Sequence, residues 1–285
     1  MLINVLSYNM SWATQVNKIL GSEADFVEAC QKTHKKGGLQ CIKNAIANIG
    51  KLDQIDLLGL QEVNSAIESE IMKVQPSLKK YERGTIKQSI VSILWNPEIF
   101  GEKIYSASLN LLKSDDRPCL ILITKKDDDI YVLINLHMPW SINRNEASYN
   151  LNSFINKTKI IKQYMTGKII MMGDFNDPKT TITLNKPFII KLNNTNINTN
   201  INTNINTNIN LNHNLTKTKA KKTLKSCCWH KPKHKYKYFS DTGDYILVNK
   251  NIKQKSLKIP GIFRKKGRNN RLFSDHMPVL SVLQI

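Results

Sequence analysis

The chain has 285 residues, 41% of them hydrophobic, which is enough for one large α/β domain or two small ones. No stretch approaches the roughly 20 apolar residues of a transmembrane helix, so we expect no membrane span. The net charge is +20: residues 178–285 carry 21 Lys and Arg against 3 Asp and Glu, whereas residues 1–177 carry 21 against 19. The basic C-terminal third predicts a polyanionic partner, either nucleic acid or an acidic membrane surface.

Strand and helix patterns alternate along most of the chain. Buried strands are predicted from short apolar runs at Ile3–Tyr8, Ile55–Leu60, Ile90–Trp95, Leu120–Thr124, Tyr131–Leu136, Ile169–Met172, Tyr245–Val248 and Val279–Leu283. Helices are predicted over residues 39–50, 66–74 and 146–165. This alternation indicates an α/β fold.

Polar residues with catalytic or metal-binding chemistry fall where these strands end or begin. In the segment MMGDFND, Gly173 lets the backbone turn sharply, and Asp174 and Asn176 follow it one residue apart. A carboxylate beside a carboxamide can take a proton from a water molecule and orient that water, although Asp and Asn also form Asx turns on their own account. The remaining positions are Asn9, Glu62, His137, Asp244, Asp275 and His276. Each has an ordinary alternative role in a turn, a cap or the core, but together at strand ends they predict a site.

Residues 193–237 interrupt this pattern. An Asn-Ile-Asn-Thr repeat covers Asn193–Asn212, and the lysine-rich segment Lys217–Lys237 follows it. Because this composition cannot bury a core, we expect a disordered insertion within a single domain of residues 1–285. The alternating isoleucines leave a β-solenoid or an aggregation-prone strand as an alternative. A zinc site at the cysteines and histidines of the lysine-rich segment is a weaker alternative, because its two cysteines are adjacent.

The cysteine content predicts a reduced environment. Five cysteines, an odd number that includes the adjacent Cys227 and Cys228, are not typical of a disulfide framework. The N-terminal residues lack the basic segment and small-residue cleavage site of a secretory signal. We therefore expect an intracellular protein. Nothing in the sequence indicates an obligate protein partner, so we expect a monomer.

Six segments carry a resemblance to a known family. They are SYNM at Asn9, LLGLQEV at Glu62, LINLHMPW at His137, MMGDFND at Asp174, TGDYILVN at Asp244 and FSDHMPVL at Asp275. In this order they resemble the endonuclease/exonuclease/phosphatase superfamily, the DNase I-like enzymes, from Ser7 to Leu280 without the insertion. The resemblance implies a four-layer α/β sandwich of two mixed β-sheets flanked by helices. It also implies metal-dependent cleavage of phosphate esters in a cleft at one edge.

The resemblance further implies a metal ion and an activated water. The implied cofactor is Mg²⁺, with Mn²⁺ as a possible substitute. Glu62 matches the principal metal ligand, with Asn9 and Asp275 beside it, and oxygen ligands of this kind are what Mg²⁺ prefers. Asp174 matches the residue that activates the attacking water, and Asn176 matches the one that orients the water or the phosphate.

The histidines and arginines are assigned to the phosphate by the same resemblance. His276 matches the phosphate-facing histidine, and Asp244 matches the carboxylate that fixes its tautomer. His137 matches the histidine that protonates the leaving oxygen or binds the phosphate. Arg117 falls where many members carry a phosphate-contacting arginine. The basic loop before Asp275 adds three candidate substrate-binding residues, namely Arg264, Arg268 and Arg271.

These assignments predict a Mg²⁺-dependent phosphodiesterase, and the basic C-terminal third favours a nuclease acting on DNA or RNA. The segment Gln61-Glu62-Val63 and the histidine at His137 resemble DNase I, deadenylase or sphingomyelinase-type members more than AP endonucleases, which places AP-site activity in doubt. One alternative is a phosphoinositide or lipid-headgroup phosphatase or phospholipase of the same fold. Another is an inactive member that only binds nucleic acid.

Overall fold

Two mixed β-sheets face each other, and helices cover their outer faces. The computed structural model describes residues 1–19, 24–64, 66–139, 143–176, 188–192, 207–211, 226–229, 239–241, 243–264 and 273–285. Its strands are β1 (Leu2–Asn9), β2 (Leu57–Gln61), β3 (Lys80–Ile86), β4 (Ser89–Trp95), β5 (Glu102–Asn110), β6 (Pro118–Lys126), β7 (Asp129–His137), β8 (Lys168–Asp174), β9 (Phe188–Leu192), β10 (Thr207–Leu211), β11 (Cys227–Trp229), β12 (Phe239–Asp241), β13 (Asp244–Val248), β14 (Lys253–Lys258) and β15 (Val279–Gln284). Its helices are α1 (Trp12–Gln15), α2 (Ala24–Thr33), α3 (Gly38–Ile49), α4 (Ile67–Val74), α5 (Pro97–Phe100), α6 (Arg144–Lys157), α7 (Lys159–Tyr164) and α8 (Gly261–Arg264).

The strand order brings the predicted polar residues to one edge of the two sheets. The six-stranded sheet has the order β14-β15-β1-β2-β4-β3, and the five-stranded sheet has the order β13-β8-β7-β6-β5. Each contains one parallel pair, β1 with β2 and β7 with β8. Because parallel strands end at the same edge, Asn9 lies opposite Gln61, and His137 lies opposite Asp174. The antiparallel strand β13 then places Asp244 opposite Asp174.

Alternation along the strands separates the hydrophobic residues into layers. On β6, Leu122 packs into the core between the sheets, whereas its neighbours Ile121 and Ile123 pack against α6 and α7. A third cluster joins the outer face of the six-stranded sheet to α3 and α4. The expected four-layer sandwich, helix–sheet–sheet–helix, is thereby confirmed.

A buried polar network ties the two sheets together near the site. Gln61 Nε2 donates to Asn135 Oδ1 at 2.6 Å, and Asn135 Nδ2 donates to the carbonyls of Leu60 and Ser92, both at 2.8 Å. The sheets approach closely here, because a Cβ built on Gly59 would lie 2.6 Å from Met172 Cγ. Buried amides that are paired in this way fix the register of one sheet on the other.

Some predicted elements differ from the observed ones. The helix predicted over residues 146–165 is two helices, α6 and α7, because Thr158 between them has an extended backbone (φ −94°, ψ 97°). The helices α1 and α2 lie in a polar stretch for which we predicted no element. The edge strands β3, β5 and β14 were also missed, since charged and polar residues break their apolar pattern.

One disulfide contradicts the expectation of reduced cysteines. Cys30 of α2 and Cys41 of α3 are bonded, with their Cα atoms 6.2 Å apart. Both are buried and pack with Phe26 in a small cluster that joins the two helices. Sequence spacing could not reveal this pair, because the two cysteines meet only when α2 folds back on α3. Cys119 is buried and free.

Two short hairpins are described within or beside the expected insertion. Strand β10, inside the repeat, pairs antiparallel with β9, and Leu211 and Ile190 join the core under α6 and α7. Strand β11, inside the lysine-rich segment, pairs with β12. We expected the rest of the insertion to be disordered, but those residues lie outside the described ranges. His230 and His234 of the alternative zinc site also lie outside them. Within those ranges, no helix is long and apolar enough to cross a membrane.

Candidate active site

Glu62 and Asn9 form one side of the site, at the ends of β2 and β1. Asn9 Nδ2 donates to Glu62 Oε1 at 2.9 Å and to Asp174 Oδ2 at 3.1 Å, so a single amide bridges both carboxylates. The second oxygen of Glu62 accepts from the backbone N–H of Trp12 at 3.1 Å. Burial alone would raise the pKa of Glu62, but His137 and these hydrogen bonds hold that pKa below its ordinary value. Glu62 is therefore an anion at neutral pH.

The backbone at Glu62 adopts a left-handed conformation, with φ 55°. Gln15 holds it there: its side-chain N–H₂ donates to the carbonyl of Glu62 and, at 3.1 Å, to that of Met10, while its Oε1 accepts from the N–H of Asn64 at 2.8 Å. A non-glycine residue in this conformation costs energy that surrounding contacts must offset. Gln15 is buried and belongs to the short helix α1, which predictions from sequence did not include.

His137 lies between Glu62 and an arginine. Its Nε2 is 3.5 Å from Glu62 Oε1 and 3.8 Å from Asp174 Oδ2. Arg117 Nη1 lies 2.8 Å from the same nitrogen, and because guanidinium has no acceptor, it is the donor. Burial lowers the pKa of His137, and this effect exceeds the increase caused by the carboxylates of Glu62 and Asp174. The imidazole is therefore neutral. Arg117 is in turn held by a 2.8 Å ion pair with Asp115.

Asp174 ends the central strand β8 and is buried at 1% exposure. Its Oδ1 accepts from the N–H of Asn176 at 2.8 Å, so the Asx turn expected as an alternative is present at the site itself. Asn176 has φ 46°, its Nδ2 donates to the carbonyl of Met138 at 2.8 Å, and its own carbonyl accepts from Arg144. Burial raises the pKa of Asp174, and the nearby Asp244 raises it further. A carboxylate with a raised pKa is a better proton acceptor.

His276 and Asp244 form a buried pair beside Asp174. His276 Nδ1 lies 3.0 Å from Asp244 Oδ2, and its Nε2 lies 3.6 Å from Asp174 Oδ2. Burial opposes protonation, but the three carboxylates of Asp244, Asp174 and Asp275 raise the pKa of His276 well above its ordinary value of 6.5. His276 is therefore an imidazolium at neutral pH, in contrast to His137.

Asp275 completes the acidic side of the site. Ser274 Oγ donates to the carbonyl of Asn9 at 2.7 Å and lies 3.3 Å from Asp275 Oδ1, which ties this loop to β1. Burial raises the pKa of Asp275 to about 6, and the carboxylates of Glu62 and Asp174 contribute to the increase. Three carboxylates that repel one another in a buried space favour a cation among them.

Two groups of side chains have the spacing of metal ligands. One ligand atom from each of Glu62, His137 and Asp174 lies within 4.8 Å of the others, and the same holds for Asp174, Asp244 and His276. Asn9, a predicted ligand, turns its Nδ2 toward the carboxylates, while its Oδ1 accepts from the N–H of Ser11 at 3.0 Å. In this arrangement it orients Glu62.

The structure gathers the core set of predicted residues but not all of the arginines. Asn9, Glu62, His137, Asp174, Asn176, Asp244, Asp275, His276 and Arg117 lie together at this edge. Arg264 ends α8, and its side chain is not described, whereas Arg268 and Arg271 lie outside the described residues.

Three residues that position the site were not predicted from the sequence. They are Gln15, Arg144 and Ser226. Ser226 lies within the range assigned to the insertion, yet it is fully buried, and its Oγ accepts from the N–H of Asp244 at 3.1 Å. Its carbonyl also accepts from the N–H of Met277 at 2.7 Å, which joins the two strand ends that carry the histidine–aspartate pair. No local sequence signal marks these residues, because each acts through a partner that is distant along the chain.

The two facing sheets, their strand order and the flanking helices are those of the DNase I-like, or endonuclease/exonuclease/phosphatase, fold. No protein-family model matches the sequence, and no curated protein is found as a relative. The likeness is to solved structures, over nearly the whole chain.

Three of these structures illustrate the likeness. ANGEL2, described as a 2′,3′-cyclic phosphatase and solved with adenosine-2′,3′-vanadate, is 17% identical with a TM-score of 0.61, covering 99% of this chain and 95% of that one. An endonuclease/exonuclease/phosphatase family protein from Bacteroides thetaiotaomicron is 16% identical with a TM-score of 0.60, covering 99% and 97%. TDP2 from D. rerio, solved with a single-strand DNA product, is 14% identical with a TM-score of 0.58, covering 100% and 99%. At these identities the likeness establishes the fold.

Proposed function

We propose that this protein is a metal-dependent phosphodiesterase that hydrolyses nucleic-acid phosphodiester bonds. The observation that carries the proposal is the meeting of Glu62, His137 and Asp174 within 4.8 Å at one sheet edge, beside the buried His276–Asp244 pair. Hydrolysis of a phosphate ester needs a metal ligand, a proton acceptor and a positive charge that stabilises the phosphate. Glu62, Asp174 and His276 supply these three in turn.

The donor set fits a hard divalent cation. Glu62 is an anion, and burial together with the carboxylates of Glu62 and Asp174 raises the pKa of Asp275, so a cation among the three would be stabilised. We assign Glu62 and Asp275 as the residues that would hold Mg²⁺ or Mn²⁺, with Asn9 orienting Glu62. When bound, the ion would neutralise charge on the phosphate oxygens and support the leaving group.

The remaining residues supply the proton transfers and the binding of the phosphate. Asp174, with its raised pKa, accepts a proton from the attacking water, while Asn176 holds the geometry of the turn around it. His276 is an imidazolium and places its positive charge against the phosphate oxygens as negative charge develops there. His137 is neutral and its Nε2 accepts from Arg117, so it orients that guanidinium for the phosphate and does not supply the proton.

The charge distribution favours nucleic acid as the substrate class. A polyanion of many phosphates makes use of 21 basic residues against 3 acidic ones over residues 178–285, whereas a small phosphate ester does not. The ligands bound to two structural neighbours, a single-strand DNA product and an adenosine-2′,3′-vanadate, are consistent with this choice. The lipid-headgroup alternative predicts hydrolysis of lipid substrates, and the inactive-binder alternative predicts no hydrolysis.

A hydrolysis assay with and without metal tests the proposal. Purified protein is stripped with chelator, resupplied with Mg²⁺ or Mn²⁺, and offered labelled single- and double-stranded DNA, RNA, a 2′,3′-cyclic nucleotide, a phosphoinositide and sphingomyelin. We expect cleavage of a nucleic acid that chelator abolishes and metal restores. Glu62→Gln and Asp174→Asn should each lower turnover by about a hundred-fold or more, while the exposed Glu98→Gln should not change it.

Two outcomes would reject the proposal. Hydrolysis of only the lipid substrates would favour the lipid-headgroup alternative. Binding of nucleic acid without hydrolysis of any substrate, in any metal, would favour the inactive binder.

A further inference from the structure

Strand β14 forms an exposed edge of the six-stranded sheet and carries a row of lysines. Among the strands that the structure describes, it pairs only with β15. Lys253, Lys255 and Lys258 are exposed, whereas Gln254 between them is buried and donates to Ser281 Oγ at 2.8 Å. The strand is therefore anchored by Gln254, and its three lysines are exposed, with Lys255 at a β-bulge between Gln254 and Ser256.

These lysines have no acidic partners among the described residues. Residues 245–274 contain nine Lys and Arg and no Asp or Glu, and the neighbouring strands β15 and β1 contain no acidic residue either. Lysines elsewhere in the described part do form ion pairs with carboxylates, namely Lys32, Lys73, Lys79, Lys80, Lys87, Lys103 and Lys168. The row on β14 is thus a concentration of positive charge without acidic partners among the described residues.

The row runs away from the candidate active site. Lys258 lies opposite Leu280 near the start of β15, and Lys253 lies opposite Gln284 at its end. The start of β15 is at the site edge, because Val279 lies opposite Ser7, two residues before Asn9. Six residues of strand span about 20 Å, so the lysines lead from the site edge along the side of the molecule.

We propose that β14 is a binding track for the phosphates of a single nucleic-acid strand whose other part lies in the candidate active site. This inference rests on the proposed substrate class and adds the path of the strand. A line of cations along a strand edge matches a linear polyanion, whereas a membrane is a plane that a broad patch would fit better. The exposed positions of β14 also present no fully exposed large apolar side chain that could enter lipid.

A binding experiment tests the track without depending on catalysis. The variant Lys253→Gln/Lys255→Gln/Lys258→Gln is compared with the wild type by fluorescence anisotropy, using a labelled single strand of about 12 nucleotides in chelator, over a range of salt concentrations. We expect the dissociation constant to rise by about tenfold, and the slope of log affinity against log salt to shrink by about 2, since each phosphate contact contributes roughly 0.7 for a single strand.

A matched variant controls for the lost charge. Lys125→Gln/Lys126→Gln/Lys157→Gln removes three exposed lysines from the five-stranded sheet and the helix that covers it. This control should keep the wild-type affinity and slope. Unfolding curves of both variants should match the wild type, because the substituted side chains are exposed.

The outcomes separate the track from the proposed function. Equal affinity losses in the two triple variants would show that only net charge matters and would overturn the track. Loss of binding to phosphatidylserine vesicles with unchanged oligonucleotide binding would also overturn it, in favour of a membrane. If the track variant loses oligonucleotide affinity selectively while no nucleic acid is hydrolysed, the track stands and the proposed function fails.

Discussion

At the scale of single residues, two buried histidines on either side of Asp174, each with Nε2 within 4 Å of its Oδ2, hold different charge states. His137 accepts from Arg117 and has a lowered pKa, whereas His276 is surrounded by three carboxylates and has a raised one. The difference comes from the partners, since both histidines are almost fully buried. In the proposed mechanism the two imidazoles have different roles: the cationic His276 stabilises negative charge on the phosphate, and the neutral His137 orients Arg117.

The variant Asp244→Asn tests this division. Because the carboxylate of Asp244 raises the pKa of His276, its removal should lower that pKa, so the variant loses the imidazolium at a lower pH than the wild type does. We expect turnover of the variant at neutral pH to fall about a hundred-fold and to recover partly in mild acid, whereas wild-type turnover persists above neutral pH. The control is Asp129→Asn, which alters an exposed ion pair with Lys168. Identical pH profiles for Asp244→Asn and the wild type would contradict the assignment.

Gln15 is predicted to position Glu62 for the metal without touching it. In Gln15→Ala the hydrogen bonds that hold the backbone of Glu62 at φ 55° are lost, so the carboxylate is less well placed. We expect the Mg²⁺ concentration for half-maximal activity to rise about tenfold. Gln31→Ala, which alters only contacts to Asn17 at the surface, should leave it unchanged. A lower melting temperature with unchanged metal dependence would mean that Gln15 is only structural.

At the scale of elements, an ion pair between the buried Glu68 and the partly exposed Arg83 joins α4 to β3 and β4. Arg83 donates to both carboxylate oxygens of Glu68 at 2.7 and 2.8 Å, and the hydroxyl of Ser92 donates to one of them at 2.5 Å. Burial opposes ionisation of Glu68, but these hydrogen bonds hold its pKa below the ordinary 4.5. The pair fastens the helical layer to the edge of the six-stranded sheet.

Glu68→Gln should destabilise the fold in a pH-dependent way. A carboxyl group with a lowered folded pKa stabilises the protein above its unfolded pKa, and this contribution is lost as pH falls through the folded value. We expect the free energy of unfolding to drop by about 2 kcal/mol at neutral pH, and the gap between the two proteins to narrow below pH of about 4.5. Urea denaturation of both proteins at several pH values measures this difference in the free energy of unfolding. Glu70→Gln, at an exposed pair with Lys73, should change stability by less than about 1 kcal/mol, and an equal loss there would contradict the assignment.

At the scale of the whole molecule, the low-complexity repeat is attached to the core through a hairpin. Ile190 of β9 and Leu211 of β10 are buried against the outer face of the five-stranded sheet, and Leu192 lies opposite Thr207. The last residues of the repeat, Thr207–Leu211, therefore contribute to the core.

Replacing residues 193–206 with Asn-Gly should leave the fold intact. A two-residue turn closes an antiparallel pair whose last partners are Leu192 and Thr207. We expect the melting temperature to change little. Deletion of residues 193–225, in contrast, removes β10 and uncovers Ile190, and this should lower the melting temperature by several degrees. Equal melting temperatures for the two deletions, measured calorimetrically, would show that β10 adds nothing to the core.

The sequence alone determined the central strands and the polar residues at their ends. Short apolar runs such as Ile169–Met172 have few alternatives to a buried strand, and the polar residue that follows must lie at a sheet edge. This is why Glu62, His137 and Asp174 could be placed in a common site before any contact between them was visible. The four-layer arrangement required the family resemblance as well, because periodicity does not specify how sheets stack.

Only the tertiary structure decided how these residues act on one another. Asn9 and Asp174 are separated by 165 positions along the chain, and Ser226 reaches Asp244 from within the insertion. The charge states of the two histidines, the Cys30–Cys41 bond and the lysine row on β14 likewise depend on which elements pack together. Electrostatic and hydrogen-bond energies depend on distance and burial in space, and sequence separation carries neither quantity.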